Sequence, residues 1–343
     1  MIANAVKLLA GGQLGAVLLV AVIMIGRRLH AARAEERERA LIERFRDDVV
    51  ELVCQADGDA PPPSLTGLCR PDERAAIATL MAEYAGTVKG GSRARLSAFA
   101  DAHGYVAASA AELSARREWR RGRAARTLGD FGSGGAAPAL RRALERERSG
   151  DVRAAAGRAL GQIGGAEAAA AVLDGWAGGR LAAGVAAQSL LDMGADAVPA
   201  LLRACGNADA AVRATACRTL GHAGAGGRAD VVVELAACAI GDDDPTVREA
   251  ACDALGLVGG DDAAFALAEA LGDAAAGVRR AACDAAARLR IADLQLIAHD
   301  LMDDPAADVA RAATRAVAAI DPEQAGSSAF GVEAWAELRW GWT

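Results

Sequence analysis

From about residue 116 to the C-terminus, apolar residues fall at helical spacing in short blocks, and the blocks themselves repeat. The clearest read Asp, then Val-Arg, then an Ala-rich stretch closing on Leu-Gly: DVRAAAGRALGQIGG at 151–165, DAAVRATACRTLGHAG at 209–224 and DPTVREAACDALGLVGG at 244–260. Weaker copies stand at 276–289 and 307–320. Taking the closing Leu as a register mark gives Leu128, Leu160, Leu190, Leu220, Leu255, Ala286 and Val317, at intervals of 30 to 35 residues. A fixed period of that size marks stacked units rather than one globular core. After each Leu-Gly comes a second amphipathic stretch, at 138–144, 198–205, 231–240, 264–271 and 294–302. Each unit is therefore predicted to be two helices joined by Gly turns.

The pattern changes upstream. Leu8–Ile25 carries no charge over eighteen residues, which meets the lower length of a spanning helix, about 17 residues. A cleavable signal peptide is the alternative, because Ala32-Arg33-Ala34 has cleavage-like spacing, but Arg27, Arg28 and Arg33 directly after the run resist translocation. Residues 1–28 are thus expected to be a transmembrane anchor. Arg27, Arg28, Arg33, Arg37 and Arg39 outnumber Lys7 and the α-amine, so the C-terminal region is expected in the cytoplasm, at the inner membrane if the protein is bacterial. A charged juxtamembrane helix over 29–55 follows, with Leu41, Ile42, Phe45, Val49, Val50 and Val53 as its apolar stripe. The Pro61-Pro62-Pro63 run ends it and makes 56–66 a linker. Residues 67–115, including Ala75–Tyr84 and Arg95–Ala107, read as a helical N-terminal cap, 116–322 as the repeats and 323–343 as a C-terminal cap or tail.

The predicted fold class is all-α: an α-solenoid of about seven helical hairpins after a single transmembrane helix. A two-helix unit cannot bury its apolar stripe alone, and small Ala and Gly let neighbouring helices approach closely. Asp at the first turn can cap its helix. Arg153, Arg213, Arg248 and Arg279 share one register position and are expected to pair with an Asp of the neighbouring unit. The D-x-x-V-R-x-x-A-x-x-A-L-G core, nearly intact at Asp209–Gly221 and Asp244–Gly256, resembles HEAT repeats, specifically the short bacterial kind first noted in phycobilisome lyases. The resemblance covers roughly residues 120–322. It implies the solenoid fold and, for activity, either a protein-binding scaffold or an accessory bilin lyase.

Charge and chemistry narrow the picture. Residues 1–150 hold 23 Lys+Arg against 18 Asp+Glu, a net +5, whereas 151–343 hold 15 against 27, a net −12. Acidic repeats would repel a phosphate backbone, so no nucleic-acid partner is expected. Seven cysteines form no C-x-x-C pair and are expected to be reduced, buried, small apolar residues. Cys217, Cys252 and Cys283 fill one register position, a stacked row for which core packing is again the plain reading. His30, His103, His222 and His299 are scattered, and GSGGAAPAL at 132–140 lacks the Lys-Ser/Thr of a phosphate loop. No metal, cofactor or catalytic group is expected.

Function is then sought on surfaces. Arg116, Arg117, Arg120, Arg121, Arg123 and Arg126 crowd eleven residues at the start of the repeats, a face for anionic lipid or an acidic partner. Second helices are expected to line the concave face, with Trp176, Arg142, Arg203, Glu269 and His299 as contact positions for another protein. Trp335, Trp340 and Trp342 are expected to cover the exposed end of the stack.

Overall fold

The computed structural model describes residues 39–55, 59–67, 70–88, 90–223 and 227–320, together with the single positions 24, 28, 33, 36 and 37. Apart from Met24, the expected span Leu8–Ile25 lies outside the described residues, as do the tail 323–343 and its Trp335, Trp340 and Trp342. Among the described residues no helix is long and apolar enough to cross a membrane. The chain divides into two compact units, Met1–Tyr105 and Val106–Thr343.

In the first unit, α1 (residues 39–54) buries Phe45, Val49 and Leu52, a face at i, i+4 and i+7. Leu52 takes an inward place, whereas Val50 of the expected stripe is exposed. The expected linker 56–66 is corrected in part: Pro63–Thr66 forms one helical turn, α2, because proline is tolerated in a first turn. Its Leu65 is buried and its carbonyl accepts the Tyr105 hydroxyl at 3.1 Å. α3 (Pro71–Thr87) and α4 (Gly91–Ala102) follow. The expected helix through Arg95–Ala107 breaks at Gly104, whose φ of +74° favours glycine. Arg74 closes that break, donating to the His103 carbonyl at 2.8 Å while its guanidinium lies 4.6 Å over the Tyr105 ring. The next helix, α5 (Tyr105–Glu112), begins at the boundary between units.

The second unit is an all-helical stack. Its first helices are α6 (Glu118–Phe131), α8 (Gly150–Ile163), α10 (Ala183–Met193), α12 (Ala210–His222), α14 (Pro245–Val258), α16 (Ala276–Leu289) and α18 (Ala307–Ile320). Between them run the second helices α7 (Ala137–Arg146), α9 (Ala166–Ala177), α11 (Val198–Cys205), α13 (Ala229–Gly241), α15 (Asp261–Leu271) and α17 (Gln295–Asp300). First helices pack on first helices and second on second, so each unit buries its apolar stripe against both neighbours. All seven register marks, Leu128 to Val317, are fully buried.

The Leu-Gly glycines prove to lie inside the first helices, not in the turns. A Cβ on Gly161 would come 2.9 Å from Ser189 Cα, on Gly221 3.0 Å from Ala254 Cα, and on Gly256 2.9 Å from Ala285 Cα. Each therefore marks the point where one first helix touches the next, and its missing side chain sets their spacing. Turns are made three and four residues later, for instance by Gly164-Gly165 and Gly259-Gly260 at positive φ. Asp209 and Asp244 cap α12 and α14 by accepting the amides of Ala211 and Thr246, each at 2.8 Å. In α8 Ser149 takes that role, and Asp151 sits within the first turn.

Three of the four expected arginine pairs form. Arg213 meets Asp242 at 2.7 and 2.8 Å, Arg248 meets Asp273 at 2.7 and 3.0 Å, and Arg279 meets Asp304 at 2.8 and 3.0 Å, each bidentate and largely withdrawn from water. A further guanidinium nitrogen in each donates to two carbonyls just ahead of its own helix, such as Asp242 and Asp243 for Arg248. The carboxylate in turn accepts the amide two residues on, so one rung fixes both units. Arg153 departs from the pattern: it donates to the Arg180 carbonyl at 2.6 Å. In α10 the rung position is Ala183, and no arginine rung issues from that helix.

Candidate interaction surface

Second helices supply one accessible face of the stack. Their inward positions are Leu140, Val172, Leu201, Leu235, Leu267 and Ala298, all buried. Two residues before these stand Pro138, Ala170, Pro199, Val233, Phe265 and Leu296; two residues after stand Arg142, Asp174, Arg203, Ala237, Glu269 and Asp300. Positions four apart share a helix face, so these two rows run side by side. In the last three units the first row is apolar and exposed: Val233 is 55% accessible, Phe265 66% and Leu296 76%. Ile240 and Ile297, also exposed, lie on the same helices. Side chains of this size thus stand in water at one register position on three successive second helices. Sequence reading located Glu269 and His299 on these helices but missed Phe265 and Leu296. Their signal was an apolar residue out of phase with the buried Leu267 and Ala298.

Arg142, Arg203, Glu269 and His299 are exposed. Trp176 is not: it is only 8% accessible and belongs to the core of α9. The reason is helical phase, since Trp176 follows the buried Val172 by four residues. Arg203 lines a small hollow of about 120 Å³ with Asp174, Leu173 and Asn207, between α9 and α11.

At the start of the stack, the expected basic face loses one member. Arg121 stands seven residues before Leu128, the spacing of the other rungs, and pairs with Glu147 at 2.6 and 3.0 Å. The hydrogen bond from Arg121 holds the Glu147 carboxyl at about 2, well below its ordinary 4.5. Arg116, Arg117, Arg120 and Arg126 are exposed, and Arg123 is half-buried. Trp119, unnoticed in the sequence, is 53% accessible with the Arg120 and Arg123 guanidinium groups 5.5 and 5.4 Å from its ring. Arg142, Arg146 and Arg148 line an adjoining hollow of about 600 Å³ together with Arg121 and Glu147.

The first-helix face is different in kind. Arg280 pairs with Glu249 and, at 3.3 Å, with Asp284, which also meets Arg315 at 2.9 Å, so charges on α14, α16 and α18 neutralise one another across units. A hollow of about 300 Å³ there is lined by Arg218, His222, Asp253 and Arg288, and burial raises the Asp253 carboxyl above its ordinary value.

Five of the cysteines are buried as expected, Cys54 is exposed, and Cys69 lies outside the described residues. Three of the buried ones gather: the Sγ atoms of Cys205, Cys217 and Cys238 lie within 4.8 Å of one another. No short-range motif announces this trio, because α11, α12 and α13 each contribute one member.

No curated protein matches the chain. Among solved structures, an engineered protein is similar at 20% identity over 85% of this chain and 82% of that one, with a TM-score of 0.37. Human deoxyhypusine hydroxylase in complex with glycerol is similar at 18% identity over 86% and 99%, TM-score 0.33. The complex of CpcE and CpcF of phycocyanin lyase from Nostoc sp. PCC7120 matches at 21% identity over 76% and 96%, TM-score 0.30. None of these assigns an activity to this chain. The family model for HEAT repeats matches residues 106–191 and 198–287, just over half of the sequence, and the chain belongs to the HEAT-repeat family.

Proposed function

We propose that this chain is a non-enzymatic scaffold whose second-helix face takes up a segment of another protein, held at a membrane by Leu8–Ile25 with the repeats on the cytoplasmic side. The observation that carries the binding role is the exposed row Val233, Phe265 and Leu296 on α13, α15 and α17. The partner segment suited to it carries apolar side chains for that row and basic ones toward Glu269 and Asp300. The anchor rests on the uncharged run and on Arg27, Arg28 and Arg33 behind it. Anionic lipid is a second partner, supported by exposed Trp119 among Arg116, Arg117 and Arg120.

The test is cross-linked capture from membranes with the full chain and with a Phe265→Ser, Leu296→Ser double variant. A specific protein captured by the first and lost with the second supports the reading; identical captures from both reject this face. A bilin arm addresses the lyase-type alternative. A shifted visible absorbance on adding bilin to the full chain would favour that reading over the scaffold.

A further inference from the structure

Cys205 ends α11, Cys217 lies in the middle of α12 and Cys238 near the end of α13. Cys205 and Cys217 Sγ are 3.9 Å apart, and all three sulfurs lie within 4.8 Å of one another. Cys217 is fully buried, while Cys205 and Cys238 retain 4% and 8% accessibility. The repeat does not demand this arrangement. Ala125, Gly157, Ala187, Cys252, Cys283 and Thr314 fill the position of Cys217 in the other units. Among the described residues, only Cys217 of that row joins two further thiols.

Position within the stack gives the cluster a task. Cys205 belongs to the third unit, Cys217 and Cys238 to the fourth, and α10 of the third unit carries Ala183 where a rung arginine would stand. The junction whose first helix has no arginine at the rung position is therefore the one spanned by three sulfurs.

We propose that Cys205, Cys217 and Cys238 form a three-thiolate site for Cu(I), which fastens the third and fourth units together. An all-sulfur donor set selects soft cations. Three donors complete a trigonal shell for Cu(I), whereas structural zinc sites take four. The metal-holding group comprises these three ligands and no fourth among the described residues. The charged groups that act on the trio are Glu234, one turn before Cys238 on α13, and the Arg213–Asp242 rung. On binding, each coordinated thiol releases its proton to solvent and the copper remains Cu(I), so no oxidant is needed.

The experiment titrates Cu(I) anaerobically, with reductant and a chromogenic chelator as competitor, into the full chain and its Cys217→Ala, Cys238→Ala and Cys252→Ala variants. Alanine fills the Cys217 position in other units, and circular dichroism confirms that each variant is folded. The expected result is one ion per chain, a new near-ultraviolet thiolate-to-copper absorbance and a Cu(I)-dependent rise in Tm. Cys217→Ala and Cys238→Ala should weaken binding by about a hundredfold or more, at or beyond the cost of losing an outer-shell partner, and Cys252→Ala should bind as the parent does. Absence of Cu(I) binding, or equal binding by the Cys217→Ala and Cys238→Ala variants, would overturn the proposal. So would preferential Zn(II) binding with a tetrahedral Co(II) spectrum on substitution.

Discussion

Arg248 meets Asp273 through two parallel hydrogen bonds of 2.7 and 3.0 Å, and the same carboxylate accepts the Ala275 amide at 2.7 Å. Loss of Asp273 therefore strands a guanidinium and frees the start of the next helix. Asp273→Ala is expected to destabilise the stack by about 2–3 kcal/mol, the scale of a hydrogen-bonded charge left without its partner. In thermal melts that amounts to a drop of roughly 5–10 °C. The exposed pair Arg228–Asp230 is the contrast, and Asp230→Ala should leave the melt unchanged.

Gly256→Ala should cost about 1–3 kcal/mol by urea titration, because its Cβ would meet the Ala285 backbone at 2.9 Å. Gly184, in α10, has open space around its Cα. Gly184→Ala is expected to stabilise by roughly 0.4–1 kcal/mol through the unfolded chain. Opposite signs for one substitution would establish that helix contact, not helix propensity, selects glycine in the Leu-Gly motif.

Acid should loosen the stack. Hydrogen bonds from arginine lower the carboxyls of Glu147, Asp242, Asp273 and Asp304, with Glu147 at about 2. A depressed folded-state value means that the stabilisation is complete above the unfolded values near 4 and is lost as pH falls through the folded ones. Urea midpoints are thus expected to be level from pH 7 to about 5 and to fall from about pH 4 toward 2. A midpoint that rises over that lower range would reverse the assigned role of these carboxylates.

Binding to phosphatidylglycerol vesicles should depend on Trp119 and on Arg116, Arg117 and Arg120, and weaken with salt. With Leu8–Ile25 deleted, Trp119→Ala and the triple arginine-to-alanine variant are each expected to reduce co-sedimentation several-fold. Arg121 is left intact in that test because its pair with Glu147 holds the first rung. Undiminished sedimentation of both variants would remove lipid from the list of partners.

The repeat period, the seven register marks and the arginine ladder are legible in the sequence because each depends on local spacing, and Asp209 and Asp244 cap helices for the same reason. Trp176 was misplaced although the same spacing rule, applied from Val172, puts it inward. Arg121 is a comparable case, counted with its charged neighbours when its distance from Leu128 made it a rung. The cysteine trio is another matter. Its members are 12 and 21 residues apart on three helices, and only the packing of two units brings them together. Phe265 and Leu296 fall between these cases: their phase is readable, but exposure follows only once the face that neighbours cover is known.

Asp242, Asp273 and Asp304 follow one another at steps of thirty-one residues, and Arg248 and Arg279 keep the same step. Excision of residues 242–272 would present Arg213 with Asp273 in place of Asp242, and duplication of that block would add a unit with its rung already matched. The natural seam for recombination in this chain is thus set by the carboxylate that each of these connecting turns carries. Along this part of the stack, length can change by whole units while every joint keeps its partner.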